Sequence, residues 1–154
     1  MKTATIVYCI KESDVLLAMK KRGFGTGKWN GFGGKVQKSE SVRTAAVREA
    51  QEESNLTIRE ESLEQVALLK FFFDGVLVFE CHVFLTSTWK GEAIETEEMK
   101  PQWFRRDDLP FKQMWAADHL WFPQALAGEK VAADVYFNTD GSIVEKFVPT
   151  QVSF

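Results

Sequence analysis

Cysteine is scarce in this chain. Cys9 and Cys81 are its only two; they form no CxxC pair and no disulfide framework, so a reducing, cytoplasmic setting is expected. Histidine is equally rare. His82, among alternating strand residues, reads as packed or at an edge, His119 reads as solvent-facing, and no Ser/Cys–His pairing points to covalent catalysis. A basic excess is also absent. Lys and Arg number 19 against 22 Asp and Glu, a net charge of −3 with pI near 5.5, which removes the electrostatic case for a nucleic-acid polymer as partner. No stretch approaches the roughly 18 apolar residues of a membrane span. Met1 to Thr5 leads into a short alternating run rather than the apolar block of a secretory leader. Internal repeats, low-complexity tracts and linkers are missing, so residues 1–154 read as a single domain, expected to be monomeric.

What is present is apolar and aromatic. Hydrophobic residues make up 45% and charged ones 27%, the balance of a soluble globular protein, and thirteen Phe with five Trp exceed ordinary core needs, which suggests a pocket for a flat ligand. Thr3–Ile10 and Val15–Met19 read as strands across the turn Lys11–Asp14. Lys20–Gly34 is glycine-rich and has to be loop or tightly turning strand. A helix is predicted from Ser39 or Glu40 to about Ser54, closed by Asn55, which tolerates a left-handed cap. Val66–Phe73 and Val76–Leu85 form a predicted hairpin at Asp74-Gly75. There follow an acidic loop (Gly91–Lys100), a short strand (Gln102–Phe104), a helix over about Ala117–Leu126 and a hairpin at Asn138–Gly141. The expected fold class is α+β, a mixed sheet sandwiched between helices.

The first helix carries the chemistry. With Glu49 as origin and about 100° per residue, Glu52 falls near ~300° and Glu53 near ~40°, so three carboxylates share one face. Val42, Ala45, Ala46 and Leu56 lie on that same face, so the acids extend the stripe expected to be buried. Clustered like charges cost about 0.2–0.5 kcal/mol per exposed pair, and partial burial raises that cost. Arg48 can pair with Glu52 but cannot neutralise three acids. Hard divalent cations, Mg²⁺ or Mn²⁺, resolve the conflict. The competing reading, a solvated acidic face, is weakened by the overlap with the apolar stripe.

The surrounding spacing is specific: Gly34, five residues, Glu40, seven residues, then Arg48-Glu49-Ala50-Gln51-Glu52-Glu53. It resembles the Nudix box, and the chain is thereby similar to Nudix hydrolases, with Ala50 and Asn55 as departures where the pattern favours a larger aliphatic residue and Gly. The resemblance implies an α/β/α sandwich. It implies Glu49, Glu52 and Glu53 as metal ligands, joined by the Gly33 carbonyl and by Glu98 of the acidic loop. One of the helix carboxylates would orient or deprotonate the attacking water, and Arg48 would position the glutamates. Metals between carboxylates and phosphates would admit a chain of three or four negative charges.

Further segments, among them Lys20–Gly25, Gly27–Gln37, Glu98-Met99, Trp103-Phe104 and Pro110–Trp115, are similar to the animal-type MutT branch of that family. The likeness implies an oxidised purine nucleoside triphosphate (the 8-oxo-dGTP type) as substrate, with a nucleoside monophosphate and pyrophosphate as products. By that likeness Asn30 would read the purine edge, Trp115 would stack on the base, and Thr5, Lys20 and Phe24 would sit near the sugar or the rim. Phe71, Phe79 and Lys20 stay open between such roles and core or surface ones. The branch has Pro-Asp-Asp after the Trp where this chain has Ala116-Ala117-Asp118. One base-reading carboxyl is missing, so a narrower or displaced base preference is expected, and Asp118 reads either as the remaining base reader or as a helix N-cap. The alternatives are a Nudix hydrolase of another nucleoside diphosphate derivative or of normal dNTPs, and a non-catalytic nucleotide sensor. The intact glutamates argue against the sensor.

Overall fold

The computed structural model describes residues 1–154. Strands β1 (Lys2–Lys11) and β2 (Asp14–Lys20) pair antiparallel, and the short β3 (Trp29–Asn30) and β4 (Phe32–Lys35) add to β2 and β1 respectively. Helix α1 (Val42–Ser54) follows, then β5 (Glu64–Phe73), β6 (Val76–Thr86), β7 (Met99–Arg105), helix α2 (Asp118–Leu126), β8 (Val131–Phe137) and β9 (Val144–Pro149). The sheet runs β3-β2-β1-β6-β5-β8-β9, with β4 also on β1 and β7 also on β2. It is mixed: β1–β6 and β5–β8 are parallel, and the other pairings are antiparallel.

Both faces of the sheet are covered, which is why the central strands are nearly continuous apolar runs. Alternation divides their side chains between two cores. Tyr8, Ile10, Val15 and Leu17 face the core that holds Trp121, Phe122 and Ala125 of α2. Val7, Cys9, Leu16 and Ala18 face the other, closed by Ala46 and Ala50 of α1 with Leu56 and Ile58. The expected α/β/α sandwich is therefore borne out. No helix is long and apolar enough to cross a membrane.

Local chemistry explains where the elements begin and end. The β5–β6 hairpin turns on Asp74 and Gly75, both at positive φ (49° and 79°), as a two-residue turn matched to strand twist requires. Asn55 closes α1 at φ 66°, its N–H bonded to the Gln51 carbonyl, as expected. The start of α1 lies later than predicted. Ser39 adopts φ 69° and Ser41 is the N-cap, its hydroxyl accepting from Thr44 N–H at 3.0 Å. The acidic loop is shorter and the strand after it longer than predicted, because β7 pairs with β2 along its whole length from Met99 to Arg105. The N-cap reading of Asp118 is overturned: Ala117 holds the cap position without a side-chain bond, and Asp118 is the first residue of α2, 5% exposed.

Candidate active site

Two glycines set the close packing of β4, Gly33 against the backbone of β1 and Gly34 against α1. A Cβ on Gly33 would lie 1.7 Å from the Thr5 carbonyl oxygen, and one on Gly34 would lie 2.6 Å from the Glu49 carboxyl carbon. With Ala45, Ala46 and Ala50 fully buried on α1, the helix settles directly against β4 and brings its acids to the strand's backbone. Glu53 Oε1 accepts the Gly33 N–H at 2.8 Å. Gly34→Ala is expected to leave the fold intact, because only the flexible end of Glu49 must move, and to slow turnover roughly tenfold by misplacing that carboxylate. Gly33→Ala collides with backbone and is expected not to fold. Thermal melts and turnover of the two purified variants check the contrast.

Arg48 ties the acids together. Its guanidinium donates to Glu40 Oε2 (2.7 Å, from Nε) and Oε1 (2.9 Å, from Nη2), to Glu49 Oε1 (2.8 Å) and to Glu52 Oε2 (3.3 Å). The forked bond from Arg48, with the Gln37 N–H, holds the Glu40 carboxyl down to about 2. The three helix acids are not equivalent. Glu49 has a side chain 16% exposed and Glu53 is half-buried, whereas Glu52 is 57% exposed. The expectation that Glu52 shares the buried stripe is thus corrected. The buried side of α1 runs through Ala45, Ala46, Ala50 and Ser54, and position 52 lies off it, toward solvent.

Burial pushes the Glu53 carboxyl up to about 7, with repulsion from Glu49 and Glu98 adding to it, while the Gly33 N–H and Lys20 oppose it. His, Cys, Asp and Glu side chains form no closed cage of three. Glu53 and Glu49 instead offer hard oxygen donors on the open side of the glycine cradle, a donor set that fits a divalent cation shared with a ligand's own oxygens. Glu98 is 60% exposed and accepts from Arg22 Nη2 at 3.1 Å, so it acts on Glu53 through its field and does not line the cavity.

Glu53, Gly33, Gly34 and Lys20 line one part of a cavity of about 210 Å³. The remainder is lined by Thr5, Phe24, Asn30, Phe71, Phe79, Trp115 and Asp118, so every ligand-contacting candidate from the sequence reaches one space. Its aromatic wall is layered. Phe24, 64% exposed, lies 5.2 Å from the Trp115 ring, and Lys28 Nζ sits 5.4 Å above that ring. Two polar atoms in the wall lack partners, Thr5 Oγ1 and Asp118 Oδ2. Asp118 Oδ1 accepts from Trp121 Nε1 at 3.2 Å, and burial pushes the carboxyl up to about 7 against that bond, the Trp115 backbone and Lys28. Orphaned polar atoms on an aromatic cavity wall are what a hydrogen-bonding planar ligand would satisfy. Ala117, 1% exposed, adds no acid beside Asp118.

Several contributors escaped the sequence reading. Trp121 is three residues from Asp118 on one helix, a spacing that makes the two neighbours and would have exposed the pair. Lys28 and Tyr8 carried weaker signals; Tyr8 is a single hydroxyl in an otherwise apolar run.

Comparison with known proteins agrees with this geometry. The sequence profile of the NUDIX domain matches residues 1–125. The oxidized purine nucleoside triphosphate hydrolase of Danio rerio is 46% identical over 145 residues, 94% of this chain and 92% of that protein. The protein of the same name from Mus musculus is 41% identical over 141 residues, 91% of this chain and 89% of its own. Among solved structures, a MutT protein of Bacillus halodurans superposes with a TM-score of 0.82 over 97% of both chains at 21% identity, a likeness of fold.

Proposed function

This chain belongs to the NUDIX family of hydrolases, and we propose that it hydrolyses oxidised purine nucleoside triphosphates to nucleoside monophosphate and pyrophosphate, keeping damaged nucleotides out of DNA synthesis. The observation that carries this reading is one continuous cavity that joins Glu53 and its glycine cradle to an aromatic wall with an unpartnered, buried carboxyl oxygen at Asp118. The names of the fish and mouse relatives support the same substrate class.

Glu49, Glu52, Glu53 and the Gly33 carbonyl would hold a divalent cation, Mg²⁺ with Mn²⁺ as the alternative, and Glu98, outside the cavity, would add its field. Such a cation neutralises phosphate oxygens and acidifies bound water. The chain's own groups do the rest. Glu53 orients the attacking water and takes its proton. Arg48 ties Glu49 and the outward-facing Glu52 to one guanidinium, and Lys20 places an ammonium beside the phosphate path. Trp115 stacks on the base, Asn30 and Asp118 hydrogen-bond its edge, and Phe24, Phe71, Phe79 and Thr5 enclose the base and sugar. The enzyme is expected to act as a monomer in the cytoplasm, where the buried thiols of Cys9 and Cys81, both pushed up to about 12 by burial, stay protonated and inert.

The test is a turnover panel with Mg²⁺ comparing 8-oxo-dGTP, 2-hydroxy-dATP, O6-methyl-dGTP and the normal dNTPs. Preference for at least one modified purine is expected, over a narrower range than a site with two base-reading acids would accept. No turnover of any modified purine rejects the substrate class.

A further inference from the structure

Tyr8 stands behind the cavity in β1, fully buried, its ring centre 4.3 Å from that of Phe122 and 6.4 Å from that of Trp121. Its hydroxyl donates to Asn30 Oδ1 at 2.6 Å, and the Gly31 backbone N–H donates to the same oxygen at 2.9 Å. A backbone N–H can only donate, so the amide atom facing Gly31 has to be the oxygen, and the amide's orientation follows from chemistry. An amide oxygen has two acceptor positions, and here the protein fills both. Asn30 therefore has only its Nδ2 hydrogens to offer the cavity it lines.

We propose that Tyr8 is a positioning residue that locks the Asn30 amide with its N–H groups toward the ligand, so that the base edge it meets has to supply an acceptor, and that this edge is the purine 6-position, where the site then selects a 6-keto over a 6-amino group. This rests on the reading of the cavity as a purine triphosphate site and names the base class within it. Turning the amide over would set Nδ2 against the Gly31 N–H and leave the Tyr8 proton, which has no other acceptor, unbonded inside the core. Gly31 determines which way the amide faces; Tyr8 adds the second bond that must break before it can turn. Burial raises the Tyr8 phenol well above its ordinary range, so it stays a donor wherever the enzyme works.

Tyr8→Phe keeps the ring and removes the bond. The measurement is kcat/KM for 8-oxo-dGTP and for 2-amino-8-oxo-dATP, which present keto and amino groups at the 6-position. The wild type is expected to favour the keto nucleotide at least about tenfold. In Tyr8→Phe that ratio is expected to fall about two- to tenfold, the worth of one neutral hydrogen bond, with improved KM for the amino nucleotide, a gain that a damaged fold would not produce. An unchanged ratio, or equal losses on both nucleotides, overturns the lock and leaves the substrate class standing. If the wild type hydrolyses neither of these nor any other modified purine of the panel above, the substrate class fails by itself. The lock is then decided by hydrogen exchange of the Asn30 side-chain amide in ¹⁵N-asparagine-labelled protein, with Asn55 and Asn138 as internal references. Exchange at least about fivefold faster in Tyr8→Phe supports it; equal exchange rejects it.

Discussion

Glu53→Gln is expected to lower turnover at least about 100-fold while the protein stays folded. The substitution keeps an oxygen that can accept the Gly33 N–H, so the contact between helix and strand survives. It removes the negative charge on which water activation and cation binding would depend in the proposed mechanism. Its effect on stability has the opposite sign to its effect on rate. The Glu53 carboxyl is raised to about 7 in the folded state against an ordinary value of 4.5. Its contribution to stability is thus full below about pH 4.5 and is lost as pH rises through 7. Gln carries no such penalty, so the metal-free variant should melt at the same temperature as the wild type or higher at pH 8. A turnover assay beside a thermal melt checks both halves. Near-wild-type rates would mean that the catalytic carboxylate lies elsewhere.

Asp118→Ala is expected to weaken kcat/KM for a modified purine by about 10- to 100-fold, chiefly through KM. The unpartnered Oδ2 is lost from the cavity, and Trp121 Nε1 loses its acceptor inside the core. Each orphaned buried group costs about 1–3 kcal/mol. Asp118→Asn separates the charge from the packing. The native carboxyl is raised to about 7 from 3.8 by burial. The unfolded chain therefore releases this proton first, and between about pH 4 and 7 the group lowers stability by about 1.4 kcal/mol per pH unit as pH rises. Asn should remove that part of the slope, which chemical denaturation at a series of pH values measures. An unchanged slope would show that Asp118 is ionised in the native protein across this range.

Much of this was legible in the sequence, for physical reasons that differ from element to element. The β5–β6 hairpin and the Asn55 cap follow from residues that tolerate positive φ, a strictly local property. The helix acids and their glycine partner follow from spacing, which a helix converts into geometry. Glu52 was misjudged because angular position on an isolated helix does not say where the rest of the fold covers it, and here the buried side runs through Ala45, Ala46, Ala50 and Ser54. Asp118 looked like a cap because Asp often is one; that it is buried against Trp121 depends on how α2 docks. Tyr8 meets Asn30 across a separation of 22 residues, and the β1–β4 pairing that brings the segments together is a tertiary fact that no local pattern contains.

The two ends of the cavity are built from different parts of the chain. α1 supplies the acids and β4 the two glycines beneath them, Gly34 packed against the Glu49 carboxyl and Gly33 against the backbone of β1. β1, β3, the glycine-rich segment after β2, the β5–β6 hairpin and α2 supply the walls. Sequence drift is therefore channelled. Changes at Tyr8, Ala117, Phe71 or Phe79 can retune which base is accepted while the hydrolytic half stays the same, whereas almost any side chain at Gly33 ends the fold.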